Sequence, residues 1–266
     1  MKGRVLVVAG SDSGGGAGIQ ADIKTIAALG GYAATAVTAL TAQDTHGVHG
    51  VSPVAPEFVA QQMKLTLEDI GADCVKTGML VSAAVVTAVS DVLDASDPVP
   101  LVVDPVMAAK SGSPLLEVSA RQALKARLVL RATVLTPNLP EAEILTGMTI
   151  GSFEEMRHAG EMLLSLGPRY VLLKGGHMPG PVVRDLLVHE SGVIELVFPR
   201  IDSTNTHGTG CTLASGIAAG ISQGLDVPAA VERARAYVQE AIRTAPGYGA
   251  GFGPLNHGHT VKPFGP

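Results

Sequence analysis

The sequence predicts an α/β fold, a mostly parallel central sheet covered by helices on both faces, in one domain spanning residues 1–266. Three observations carry this reading. Short apolar runs rich in Val, Leu, Ile and Ala alternate with stretches of helical periodicity along the chain. Those runs are continuously apolar, as strands buried on both faces are. No long linker, repeat or low-complexity segment divides the 266 residues, a length that one large α/β unit can fill.

The elements follow in order. "RVLVVAG" near the N-terminus is a buried strand, too short in apolar length for a signal segment. "GIQADIKTIAALG" is a helix closed by glycine, and "YAATAVTAL" is the next strand. "PEFVAQQMKLTLEDI" opens with proline at a helix start and sets Val59, Met63 and Ile70 on one face. "CVKTG", "LVVDPV", "ATVLTPN" and "YVLLKGG" are further strands, mostly followed by a loop and a helical segment. "RDLLVHE" and "GVIELVFP", joined by "SG", form an antiparallel hairpin at one edge.

Composition excludes several classes. With 24 acidic and 19 basic residues, net charge −5 and no Lys/Arg run, neither nucleic acid nor an anionic membrane is the expected partner. No stretch is long and apolar enough to span a bilayer. Cys74 and Cys211 belong to no CxxC pair, so neither zinc nor a disulfide framework is signalled. The histidines, among them His46, His49, His177, His207, His257 and His259, lack zinc-site spacing. The expectation is a cytoplasmic protein.

In parallel sheets ligands bind beyond the carboxyl ends of the strands. The segments there, "GSDSGGGAG", "TAQDTHG", "KTGM", "DPVMAAKSG", "TPNLPE", "KGGHMPG" and "NTHGTGC", are rich in Gly, Thr, Ser, Asn and Asp, as a phosphate-handling rim must be. "GGGAGIQA" contains G-x-G-x-x-A at Gly16, Gly18 and Ala21, but the second strand ends in Gln43 where a dinucleotide site needs an acid. It is either a turn for tight strand–helix packing or a loop that faces a substrate. No Walker A loop is present, and Asp12 holds the centre of "GSDSG" where a nucleophilic serine would be needed.

"HGTGC" is the strongest motif. Glycines 208 and 210 flank Thr209 at a helix start, where unpartnered N–H groups cradle an anion. There the helix dipole lowers a thiol pKa, so Cys211 is expected as a thiolate near neutral pH; the alternative is a buried structural cysteine. Asn138 and Glu141 lie three apart at a helix start and suit either Mg²⁺ or helix capping. Asp104 ends an apolar strand and calls for a metal or a neighbouring lysine, and Lys174 ends another within reach of phosphate or exposed to solvent.

These blocks, together with "VKTGML", "VVDPVMAAKSG", "RIDSTNTHGTGCTLASGIAAG" and "GPLNH", cover almost the whole chain. They resemble the ribokinase superfamily, and more closely the bacterial hydroxymethylpyrimidine/phosphomethylpyrimidine kinases of thiamin biosynthesis. The resemblance implies a ribokinase-like three-layer α/β/α sandwich, a homodimer, and ATP-dependent phosphorylation of 4-amino-5-hydroxymethyl-2-methylpyrimidine and then of its monophosphate. It implies Cys211 as catalytic base and Gly208, Thr209 and Gly210 as anion hole. Asp104 and Glu141 would support Mg²⁺. Lys174, Asn138 and Thr209 would meet ATP. Gln43 would read the pyrimidine, with Gly10, Asp22, Met79 and Val106 lining its pocket. Pyridoxal/pyridoxine kinase is the nearest alternative, and a non-catalytic vitamer or nucleotide sensor on the same fold is another. Arg235 departs from the lysine that such kinases often carry beside the nucleotide, and the tail "GYGAGFGPLNHGHT" departs from their His-rich form; neither is given a role.

Overall fold

The computed structural model describes residues 1–109, 112 and 114–265; Lys110 and Ser111 of the "DPVMAAKSG" block lie outside the described residues. Nine strands form one sheet: β1 (Arg4–Asp12), β2 (Tyr32–Gln43), β3 (Val48–Pro53), β4 (Cys74–Thr77), β5 (Leu101–Val103), β6 (Val134–Leu135), β7 (Tyr170–Leu173), β8 (Val182–His189) and β9 (Gly192–Pro199). Their spatial order is β3-β2-β1-β4-β5-β6-β7-β8-β9. The six from β2 to β7 are mutually parallel, and β3, β8 and β9 join antiparallel.

Period-two side-chain alternation makes the sandwich. On β1, Val5 and Val7 enter one core while Leu6 and Val8 enter the other. The first core is closed by α1 (Gly18–Ala28), α7 (Thr209–Ser222) and α8 (Val227–Arg243). The second is closed by α2 (Pro56–Asp69), α3 (Ala83–Asp94), α4 (Val118–Leu124) with its π-helical extension Lys125–Val129, α5 (Leu139–Thr146) and α6 (Phe153–Leu164). Small residues bring α7 close to α8: a Cβ on Gly220 would lie 2.7 Å from that of Ala230. Helix ends are marked locally, by Ser82, Ser152 and Asp226 as side-chain N-caps and by Gly147 in the left-handed region after α5.

Three expectations change. The sheet is antiparallel at both edges, because β3 pairs with β2; its mostly exposed residues leave no apolar run to read. The strand in "ATVLTPN" shrinks to two residues. Val59 and Met63 are fully buried, but Ile70 falls at the C-cap of α2, where the chain turns away and leaves it 36% exposed.

Candidate active site

Strand order reverses beside β1, so β1 and β4 diverge into connections on opposite faces and leave a crevice at their carboxyl ends. Gly10 and Met79 meet there: a Cβ on Gly10 would stand 2.3 Å from Met79 Cε. Both are buried, and half-buried Val106 follows β5 nearby in the rim.

The N-terminus of α7 faces this rim. Gly208 is its N-cap at φ 85° and no side chain caps it, so the first turn offers N–H groups to an anion, with the Thr209 N–H making a long 3.4 Å bond to Thr206 O. The glycine at 208 is obligatory, since a Cβ would lie 1.8 Å from the Gly16 carbonyl oxygen. Gly16 in turn has the His207 ring against its α-carbon, with a Cβ placed 2.5 Å from Cδ2. Gly18 adopts φ 54° with Gly10 O beneath it. The glycines of "GGGAG" therefore permit close backbone packing against the "HGTG" turn.

Gly210 lies over the second cluster. A Cβ there would be 3.4 Å from Lys174 Nζ and 3.7 Å from Asp104 Oδ2. Lys174 donates to Asp104 Oδ1 at 3.1 Å, as does Thr136 Oγ1 at 3.1 Å. Lys174 is thus neither exposed nor free: it answers the buried charge of Asp104. Burial pulls its pKa down, yet Asp104 and Glu141 outweigh that and hold it above the ordinary value.

Asn138 and Glu141 form a complete capping box on α5, with Asn138 Oδ1 accepting from Glu141 N at 2.9 Å and Glu141 Oε2 from Asn138 N at 2.8 Å. Glu141 is also buried. Burial pushes its pKa up to about 7; Lys174 opposes this and Asp104 adds to it. Two carboxylates share one lysine, a surplus of negative charge at the rim.

Cys211, in the first turn of α7, is partly buried and accepts from the Gly18 N–H. The expected thiolate is not found. Burial pushes the thiol up to about 12; Lys76 opposes that, while the carboxylates of Asp22 and Asp104 reinforce it. The helix terminus cannot outweigh desolvation beside two acids. Asp22 is fully buried: both its oxygens accept from Lys76 Nζ at 3.0 Å, and Oδ1 accepts from Ser215 Oγ at 2.6 Å. Ser215 and Cys211 lie four apart on α7, hence on one face. Burial pulls the Lys76 ammonium down, but Asp22, Cys211 and Asp104 hold it above its ordinary value.

Gln43 ends β2, half-buried, with its carboxamide 3.1 Å from Thr41 Oγ1 and 3.2 Å from His207 Nε2. His207 Nε2 also lies 2.8 Å from Asp12 Oδ2. Asp12 gathers the N–H groups of Gly14, Gly16 and Ala17 at 2.8–3.0 Å. Burial raises its pKa, but the bonds from His207 and this backbone more than offset that and leave it below the usual carboxylate range. Sequence reasoning missed Asp12 and His207 as a pair, since 195 residues separate them. It also missed Lys76, although a lysine inside the apolar run "CVKTG" is a costly placement that signals a buried partner.

Two departures acquire places. Arg235 is buried, with Nε 2.7 Å from Asp185 Oδ2 and its guanidinium 4.8 Å over Phe198. Asp185 Oδ1 accepts from Gly175 N at 2.8 Å, so the pair braces the turn after Lys174. Arg235→Lys loses the planar fork and the ring stacking, and should cost about 1–2 kcal/mol in urea unfolding; an unchanged midpoint contradicts the bracing. The tail packs on the site as well. Phe252 N donates to Thr45 O and His207 N to Gly253 O. Thr212 Oγ1 donates to Gly208 O at 2.8 Å and so accepts from His257 Nε2, 3.0 Å away. Burial holds His257 neutral, with a pKa lowered to about 4.

This sandwich, with an anion cradle at a helix terminus and acids and lysines beneath it, has the architecture of the ribokinase-like small-molecule kinases. The family described as phosphomethylpyrimidine kinase matches residues 12–256. The chain belongs to that family. It is 48% identical to a hydroxymethylpyrimidine/phosphomethylpyrimidine kinase of Streptomyces coelicolor, over 96% of this chain and 94% of that one. It is 50% identical to the thiamine biosynthesis bifunctional protein ThiED of Geobacter sulfurreducens over 96% of its own length, and spans about half, 52%, of that relative. Among solved structures, an ADP complex of Bacillus subtilis pyridoxal kinase superposes with TM-score 0.90 at 32% identity, covering 97% of this chain and 98% of the other. No helix among the described residues is long and apolar enough to cross a membrane.

Proposed function

We propose that this chain transfers the γ-phosphoryl group of ATP to the hydroxymethyl oxygen of 4-amino-5-hydroxymethyl-2-methylpyrimidine, and then phosphorylates the monophosphate to the diphosphate, in thiamin biosynthesis. The observation that carries this is the uncapped α7 terminus at Gly208–Cys211, set over Lys174 and Asp104 in a chain of this family. Residues 1–266 act as one kinase domain on this reading, since one sheet runs through it and the tail returns to the site.

In each step the acceptor oxygen bonds to phosphorus, the bond to the β-phosphate oxygen breaks, and ADP leaves. The N–H groups of Gly208, Thr209 and Gly210 bind the transferring oxygens, with Thr209 and Asn138 beside the nucleotide and Lys174 meeting its phosphates. The transition state is loose, so in the first step the hydroxymethyl oxygen keeps its proton until the new O–P bond makes it acidic. Cys211 then receives that proton on Sγ, which requires the thiolate, and Lys76 is the cation that favours the thiolate. In the second step the acceptor is a phosphate oxygen with no proton to give up. Gln43 meets the pyrimidine edge; Gly10, Met79 and Val106 line its pocket, while Asp22 acts from below through Lys76.

Mg²⁺ fits the donor set, because Asp104 and Glu141 leave a surplus negative charge that a hard divalent cation relieves, and Mg²⁺ takes one or two carboxylates plus phosphate oxygens. When bound it neutralises phosphate charge. Glu141→Gln keeps the neutral capping geometry but removes this charge. It should raise the Mg²⁺ concentration for half-maximal rate and lower kcat by about tenfold, with pyrimidine affinity intact by calorimetry. A collapse of pyrimidine binding would instead place Glu141 on the substrate side.

Exposed Leu40, Val51 and Phe58 on β2, β3 and α2 support a homodimer as part of the reading. A pyridoxal/pyridoxine kinase is the second reading, favoured by the superposition with the pyridoxal kinase. A sensor would have no use for the retained Cys211, Asp104 and Glu141. Product mass distinguishes these: with ATP, Mg²⁺ and the hydroxymethylpyrimidine, mono- and then diphosphate should accumulate, whereas no phosphorylated pyrimidine would overturn the proposal.

A further inference from the structure

We propose that His207, held by Asp12, is a positioning residue that fixes which way the Gln43 carboxamide points and so selects a 4-aminopyrimidine over a 4-oxopyrimidine. The inference rests on the reading of Gln43 as the residue that meets the pyrimidine. It is carried by hydrogen-bond accounting.

Asp12 Oδ2 accepts from the N–H groups of Gly16 at 3.0 Å and Ala17 at 2.8 Å, and Oδ1 accepts from Gly14 at 2.8 Å. An oxygen that accepts from two N–H groups is a carboxylate oxygen, with no proton of its own to give. His207 Nε2, 2.8 Å from the same Oδ2, must therefore carry the hydrogen and donate it. A nitrogen that donates cannot accept from the Gln43 amide nitrogen placed 3.2 Å away. A second conflict lies at the other end of the carboxamide. Thr41 Oγ1 has one hydrogen, yet both Ser11 O at 3.0 Å and Gln43 Oε1 at 3.1 Å stand as its acceptors.

One half-turn of the carboxamide resolves both conflicts. Gln43 Oε1 then accepts from His207 Nε2–H, which is shared with Asp12. Gln43 Nε2 donates to Thr41 Oγ1, whose own hydrogen goes to Ser11 O. Each contact along Asp12–His207–Gln43–Thr41–Ser11 then pairs a donor with an acceptor, and the opposite orientation pairs neither end of the carboxamide. The carboxamide is left with one free N–H and one free lone pair, in a fixed order along its edge. A ring nitrogen beside an exocyclic amine presents an acceptor and a donor, the complement of that edge. A 4-oxopyrimidine presents a ring N–H beside a carbonyl, and so puts donor against donor and acceptor against acceptor. Without His207 the amide turns freely and meets either ring.

The ring of His207 is itself positioned by the fold. It packs on Gly16, while the backbone N–H of His207 donates to Gly253 O at 3.1 Å and the residue directly precedes the Gly208 cap. The residue that orients the reader of the base is thus anchored to the anion cradle, which keeps recognition and phosphate binding in register.

The test compares kcat/KM for 4-amino-5-hydroxymethyl-2-methylpyrimidine and its 4-oxo analogue in the intact protein, His207→Phe, His207→Gln and Gln43→Met. His207→Phe keeps the ring but removes the donor; it should narrow the preference for the amino compound by about tenfold, the worth of one orienting hydrogen bond. The change should appear in KM for the pyrimidines, with KM for ATP unmoved. His207→Gln restores an N–H donor and should restore the preference. Gln43→Met should lose it, and adding His207→Phe to Gln43→Met should change nothing further. A His207→Phe enzyme with the full preference, when Gln43→Met has none, overturns the positioning role alone. A Gln43→Met enzyme that keeps the preference overturns the reading of Gln43, and the proposal with it. If the phenyl ring is not accommodated against Gly16, His207→Leu removes the donor with a smaller side chain, and calorimetric binding of the two pyrimidines reads the same preference.

Discussion

Cys211→Ala should lower kcat by about a hundredfold, the lower part of the range for general-base catalysis. A loose transition state asks little of a base, and the raised thiol pKa leaves only a small competent fraction. KM for ATP and for the pyrimidine should hold, because the anion cradle consists of backbone N–H groups that the side chain does not supply. Cys211→Asp, an anion at neutral pH in the same place, should recover part of the rate. The raised pKa also predicts slow alkylation of Cys211 in the ligand-free protein at pH 7, where a thiolate would react quickly. A Cys211→Ala enzyme with parental kcat reduces the residue to packing.

Lys76→Met should be the most damaging single change to stability. It leaves the Asp22 carboxylate in the core with Ser215 as its remaining partner, and breaking a buried pair costs about 3–5 kcal/mol. Replacing both members, Lys76→Met with Asp22→Leu, should return most of that loss in urea unfolding, because a well-packed apolar pair is close to neutral. Activity should not return with it. The double variant lacks the cation that opposes burial of the Cys211 thiol, and the loss of Asp22, whose smaller effect raises that thiol, offsets this only in part. Its kcat should stay low, with the pH profile of kcat displaced upward. Recovery of both stability and rate would assign Lys76 to the core alone.

What could be read from the sequence follows the range of each interaction. Continuous apolar strands and local caps are written in neighbouring residues, so the layered sheet, the helix starts and the strand-end rim were legible. So was the capping reading of the Asn138–Glu141 spacing, and the capping box holds a carboxylate that burial pushes up to about 7. β3 was not legible, since an exposed edge strand carries no apolar pattern. Nor was the state of Cys211. A helix terminus is visible in "HGTGC", but the opposing desolvation and the acids Asp22 and Asp104 arrive from other strands and helices. The partners of Arg235, Asp12 and His207 are likewise set by tertiary packing, and "GPLNH" showed nothing of its bond to α7.

The central claim is that the pyrimidine is the acceptor, and one competition tests it most directly. The purified chain is given ATP and Mg²⁺ with 4-amino-5-hydroxymethyl-2-methylpyrimidine, its monophosphate and pyridoxine together, and kcat/KM is measured for each. The account predicts that both pyrimidines are phosphorylated well ahead of pyridoxine. Preference for pyridoxine, with the pyrimidines left unphosphorylated, would contradict it.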